Sequence, residues 1–137
     1  MQQSSDWFVR LDSIKPPEQS RVVYDHPFSW KAEDLSPILA RLFLEERVGF
    51  MDHAKPAKSV FSPEEIALIQ SAVRQAFQAA DPKEWIAFLL LQPHGVETGV
   101  TSGALFIEAH KLHVVIANHR TVVSVDSAEL TRVRANP

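Results

Sequence analysis

The chain has 137 residues, 45% of them hydrophobic, a net charge of -3 and no cysteine. That length fits one domain with a core large enough to fold without covalent staples. The missing thiols exclude disulfides, Cys-ligated zinc, iron–sulfur clusters and cysteine nucleophiles, and mild acidity argues against a nucleic-acid groove.

The polar segment Met1–Asp6 reads as a disordered tail or linker, followed by a single α+β domain over 7–137. It has no apolar core of a signal peptide. No apolar run approaches the ~18 residues of a spanning helix, so no transmembrane segment is expected and the domain should be soluble. The longest run, Trp85–Leu91, has strand length.

Trp7–Asp12 alternates as a first strand, with Phe8, Arg10 and Asp12 on one face and Val9 and Leu11 on the other. Pro16 and Pro17 break regular structure, and Arg21–Tyr24 is expected as a short edge strand. Leu35, Ile38, Leu39 and Leu42 recur at helical spacing within Ala32–Glu46. Ser36 as cap and Pro37 at the first helical position predict the start there, with Lys31–Leu35 as a preceding turn. Val48–Val60 is then a surface connection.

The second helix is marked more fully. Ser62 is the N-cap, Pro63 stands at the first position and Glu65 closes a capping box, while Phe61 and Ile66 can form a hydrophobic staple. Ile69, Val73 and Phe77 continue the apolar face, and Asp81-Pro82 stops the helix.

Trp85–Leu91 is apolar on both faces and reads as a central strand ended by Gln92-Pro93-His94-Gly95. Val100–Gly103 is expected as irregular backbone before the next strand, with Gly103 permitting a bulge. Ala104–Glu108 then turns at Ala109-His110-Lys111 and returns as Leu112–Asn118, a hairpin whose loop lacks glycine. Thr121–Val125 extends the sheet, and Asp126 with Glu129 caps a short terminal helix. These elements predict an antiparallel sheet of about four to five strands with two main helices packed mostly on one face.

The catalytic inventory is thin. His110 and His113 form an H-x-x-H spacing, but at a hairpin turn, and His113 and His119 would stand roughly 20 Å apart on one strand face. His26, His53 and His94 fall in separate loops, so no metal site is expected. Ser102 lacks a nucleophile elbow, and no phosphate-binding glycine motif occurs. Adjacent carboxylates at Glu64 and Glu65 suit a helix N-terminus rather than acid–base chemistry. Trp7 and Trp30 fall at element edges, where they either cover the core or face a partner.

Asp25-His26-Pro27, Val60–Ile66, Thr101–Ile107 and Leu112–Asn118 with Arg120 together resemble a group of small bacterial proteins predicted to be envelope lipoproteins. The resemblance spans about Phe8 to Arg120. It implies a lipid-anchor signal upstream and residence in the cell envelope or periplasm; a natural start at Met1 would instead imply the cytoplasm. Relatives tend to carry an aromatic where this chain has His119, and the resemblance implies no activity.

The leading expectation is therefore a non-enzymatic, envelope-associated binding or assembly module with an envelope protein partner, no nucleic acid and no cofactor. The alternative is a small-ligand or metal-binding protein, or an unusual hydrolase, using His26, His94, His110, His113 or His119. A third reading is self-association through the hairpin edge.

Overall fold

A computed structural model describes residues 6–13, 23–44, 58–124 and 135. The elements are β1 (Trp7–Ser13), α1 (Ala32–Ala40), β2 (Phe43–Leu44), β3 (Lys58–Ser59), α2 (Pro63–Ala79), β4 (Glu84–His94), β5 (Glu97–Glu108) and β6 (Lys111–Ser124). Strands β1-β4-β5-β6 form an antiparallel sheet in that order, and β2 pairs with β3 as a two-stranded ribbon. This is the α+β architecture expected from the sequence.

Alternation along each strand divides the sheet into two faces. Val9, Ile86, Phe88, Leu90, Leu105 and Ile107 pack toward the helices against Leu35, Leu39, Phe61, Ile69, Val73 and Phe77. Each such side chain contributes about 1.5–3 kcal/mol on burial, so this layer dominates stability. A smaller cluster of Phe8, Leu89, Leu91, Val100 and Val123 lies on the opposite face, which explains why β4 is apolar on both sides.

The start of α2 follows its local signals. Ser62 Oγ accepts from the Glu65 amide at 3.2 Å and Glu65 Oε1 accepts from the Ser62 amide at 2.8 Å. These two bonds satisfy donors that a helix end otherwise leaves open. Phe61 and Ile66 are buried in the same core, as the staple requires.

Helix α1 corrects the expected start at Ser36. It begins at Ala32, its cap Lys31 makes no side-chain bond, and Pro37 lies inside it. The Ser36 hydroxyl instead donates to Gln70 Oε1 on α2. Burial of Leu35 and Leu39 outweighs the single ladder bond that Pro37 forfeits. The helix also stops short of Glu46: the Leu42 carbonyl accepts from the Val60 amide at 2.9 Å, and the chain enters the β2–β3 ribbon.

Three strand boundaries also differ from expectation. Val23 and Tyr24 are not in a strand; the Tyr24 amide bonds the Pro82 carbonyl at 2.9 Å instead, while Arg21 and Val22 lie outside the described residues. Strand β4 runs on through Pro93 to His94, because in a hairpin closed by the His94–Glu97 pair the Pro93 nitrogen faces away from β5 and no rung to that strand is lost. Strand β5 starts at Glu97, directly after a turn at Gly95 whose φ of 65° suits glycine at the first loop position.

The irregularity near Gly103 is present, but β6 carries it. Register shifts between Val100 and Ser102 and between Ser102 and Gly103 leave extra β6 residues at Ala117 and at His119-Arg120. Beyond them Thr121–Ser124 continues the sheet as expected. His53 and the terminal helix expected after Asp126 lie outside the described residues.

Candidate functional site

His26 is the most constrained histidine. It is 4% exposed and its Nδ1–H donates to the Glu84 carbonyl at 2.8 Å, while Nε2 accepts from the Ile107 amide at 3.0 Å. Register continues β4 and β5 so that Glu84 would face Ile107, yet their ladder ends at Ile86–Leu105. The imidazole therefore occupies the place of the missing rung and bridges the two strands. Burial pushes its pKa below the usual histidine range, against opposing contributions from the Glu84 carbonyl and the Asp25 charge. A neutral ring is what the two bonds require, one nitrogen donating and one accepting.

Asp25 completes this clamp. Its amide bonds the Ile107 carbonyl at 2.7 Å and its Oδ2 accepts from the His110 amide at 2.8 Å. The bonded turn places Ala109 at φ 52° and His110 at φ 59°, an arrangement that suits a two-residue hairpin without glycine. Rings extend from the clamp in both directions. His113 stacks on Phe106 at 5.0 Å and Phe106 on Tyr24 at 4.7 Å. His26 meets Phe77 edge-on at 5.4 Å, and Trp30 meets Phe77 at 5.8 Å. Burial, with the Glu108 charge adding to it, holds the Tyr24 phenol above its usual range. The His26–Pro27 peptide is cis.

The other candidates do not converge on His26. The His110 side chain is 95% exposed, with Nδ1 3.8 Å from Asp25 Oδ2. His113 is exposed on β6, and its Nε2 lies 3.2 Å from the Glu108 carbonyl. His94 closes β4 opposite Glu97, at the other end of the sheet. His119 does not share the His113 face: register sets His113 opposite Phe106 and His119 beside Thr101, and its Nε2 is 3.3 Å from the Ser59 carbonyl. Among the described residues, no three His, Asp or Glu side chains are grouped closely enough to hold a metal ion. Ser102 is fully buried and accepts from Asn118 Nδ2 at 2.9 Å. Trp7 and Trp30 both pack against the main core.

A second polar cluster was signalled in the sequence only by its helix cap and by the polar run Asn118–Arg120. Glu65 is 7% exposed, and besides the cap its carboxylate binds Arg120 Nη2 at 3.2 Å and the Gln92 amide nitrogen. Arg120 sits at φ 52° in the β6 bulge, and its amide donates to Thr101 Oγ1 at 3.1 Å. Left-handed backbone and a buried carboxylate are common marks of active sites. Here Ser62, Gln92 and Arg120 take up both carboxylate oxygens, so the cluster locks the α2 N-terminus to the sheet. Replacing Glu65 with alanine is expected to lower unfolding free energy by about 3 kcal/mol, combining cap loss with loss of the buried bonds to Gln92 and Arg120. Replacing Arg120, whose side chain is 44% exposed, with alanine should cost about 1 kcal/mol. Urea denaturation of both variants checks the order; Arg120 costing more than Glu65 would overturn it.

A cleft of about 390 Å³, lined by Ser36, Pro37, Ala40, Ser59, Phe61, Pro63 and Ile66, opens between α1 and the start of α2. Its described lining is largely apolar, and His119, beside it, contacts the Ser59 carbonyl rather than a hydroxyl. No helix of the described residues is long and apolar enough to cross a membrane. Comparison with protein families, curated proteins and solved structures found no match to the chain.

Proposed function

We propose that this domain is a non-catalytic binding module of the cell envelope, carried by a lipid-anchored segment upstream, that engages an envelope protein by strand addition at β6. The observation that carries the reading is the β6 edge. Among the described residues no strand pairs with its outer side, although it is 14 residues long. From Leu112 to His119 it bears no Lys, Arg, Asp or Glu, and no Pro. Natural edge strands of this length are usually protected by such residues, and one left open is a template for a partner strand. The opposite edge, β1, is shorter and carries the Arg10–Asp12 ion pair at 3.0 Å.

The histidines favour this reading over ligand or hydrolytic chemistry. His26 has both ring nitrogens engaged, and among the described residues His110 and His113 join no group of three His, Asp or Glu able to hold a metal ion. Two measurements test the proposal. Fractionation of cells expressing the gene from its natural start should place the protein with the envelope; recovery wholly in the cytosol would reject that location. A photocrosslinking amino acid at Val115 on β6 should give protein adducts in cells, while one at Gln78 on α2 should not. Equal labelling at both positions would reject the edge.

A further inference from the structure

We propose that the strand added to β6 is the β6 of a second copy of this chain, paired antiparallel about a two-fold axis at Val114. The proposal rests on the reading of β6 as the working edge and names its occupant.

Backbone direction fixes the available groups. The two-residue turn makes Glu108 and Lys111 the closing hydrogen-bonded pair of the hairpin, so His113 and Val115 also bond inward to β5. Leu112, Val114 and Ile116 then direct their N–H and C=O groups away from the sheet. The same alternation is visible on β5, where Ile107, opposite Leu112, bonds away from β6 to Asp25 and His26.

A two-fold axis at Val114 sets Val114 against itself and Leu112 against the second copy's Ile116. All three outward residues then pair, giving about six backbone hydrogen bonds across the junction. Moving the axis to Ile116 drives the pairing into the bulge at Ala117, and moving it to Leu112 runs it into the turn at His110. Only the Val114 register uses the whole straight segment.

Side chains suit that register on both faces. Leu112, Val114 and Ile116 are half-buried at the rim of the core, and each would meet an apolar counterpart. On the outer face Val115, 52% exposed, would meet the second copy's His113, and Lys111 would fall opposite Ala117. No like charges face each other, which is the condition a self-paired strand has to meet. The joined sheet would run continuously through eight strands with the straight segment of the β6 edge covered.

Sedimentation of the whole chain provides the test. The wild type should show a concentration-dependent mass rising from 15.4 kDa toward twice that value. Val114→Pro removes an outward N–H that no described strand uses, and should weaken association by at least about tenfold. His113→Lys with Val115→Lys should do the same by placing lysines opposite each other, while His113→Glu with Val115→Lys should restore association to within about threefold of wild type. Thermal melts identify any variant that fails to fold, and the exposed positions 113 and 115 keep the test intact if Val114→Pro does. A wild type that stays monomeric, or a dimer indifferent to all three changes, overturns the proposal. Adducts at Val115 with a foreign protein and none with a second copy would overturn the self-pairing while leaving the edge reading in place.

Discussion

Replacing His26 with alanine is expected to remove about 4 kcal/mol of stability, a large part of what a domain of this size possesses. The imidazole stands where β4 and β5 would otherwise exchange a rung. Its removal leaves the Glu84 carbonyl and the Ile107 amide buried without partners, at about 1–3 kcal/mol each. A cavity beside Phe77 and Tyr24 adds to the loss. The same ring makes stability depend on pH. Its folded pKa is lowered, chiefly by burial, so the unfolded chain binds the proton more readily. This contribution is complete above the unfolded value of about 6.5 and declines as pH falls from there toward the folded value. The decline cannot exceed about 1.4 kcal/mol per pH unit for one group. Urea midpoints at about pH 7.5 and about pH 5.5 should diverge more in the wild type than in His26→Gln. Equal pH dependence in the two proteins would show that the ring accommodates a proton where it stands.

How far these features could be read from sequence depended on the separation of the residues that make them. The capping box of α2 lies within four consecutive positions, Ser62 to Glu65, and local chemistry explains the bonds between its ends. The hairpin was legible from alternation alone, although its turn closes one residue earlier than the apolar pattern implied. Pro37 misled because the first-position preference is a local rule, while α1 is held by Leu35 and Leu39 against α2. Pro93 misled for the opposite reason: its missing donor faces away from β5, so the β4–β5 ladder loses nothing. His26 could be recognised as part of Asp25-His26-Pro27 but not as a bridge, since its two acceptor and donor partners lie 58 and 81 residues away. Glu65 already had a sufficient explanation as a cap, so nothing pointed to Arg120, 55 residues on. The available hint was the break in apolar alternation at Asn118–Arg120, where the bulge turns a solvent-facing strand position toward the helices.

Gly103→Ala is expected to be at least as damaging, at about 4 kcal/mol or more, because the obstacle it meets is backbone. A Cβ at Gly103 would overlap the Val115 carbonyl oxygen, and would stand 3.0 Å from the carbonyl carbon and 3.2 Å from Ile116 Cα. No rotamer change can relieve that contact. The close approach is a consequence of the β6 bulge, which gains a residue at Ala117 just beyond Gly103–Ile116 and brings the strand down onto β5. Forcing the strands apart would displace Arg120 as well, since its amide is tied to Thr101 and its guanidinium to Glu65. The two losses should therefore be coupled. In a double-mutant cycle, Gly103→Ala with Arg120→Ala should destabilise by less than the sum of the single changes, by at least about 0.5 kcal/mol. Hydrogen exchange offers an independent reading: amides of β6 should lose protection in Gly103→Ala before those of β1 and β4. Strict additivity, or a cost of Gly103→Ala below about 1 kcal/mol, would mean that Arg120 holds Glu65 without help from the bulge. The coupled outcome would instead make the glycine, the bulge and the half-buried ion pair one device, fixing where the straight edge of β6 ends and so how long a strand can pair with it.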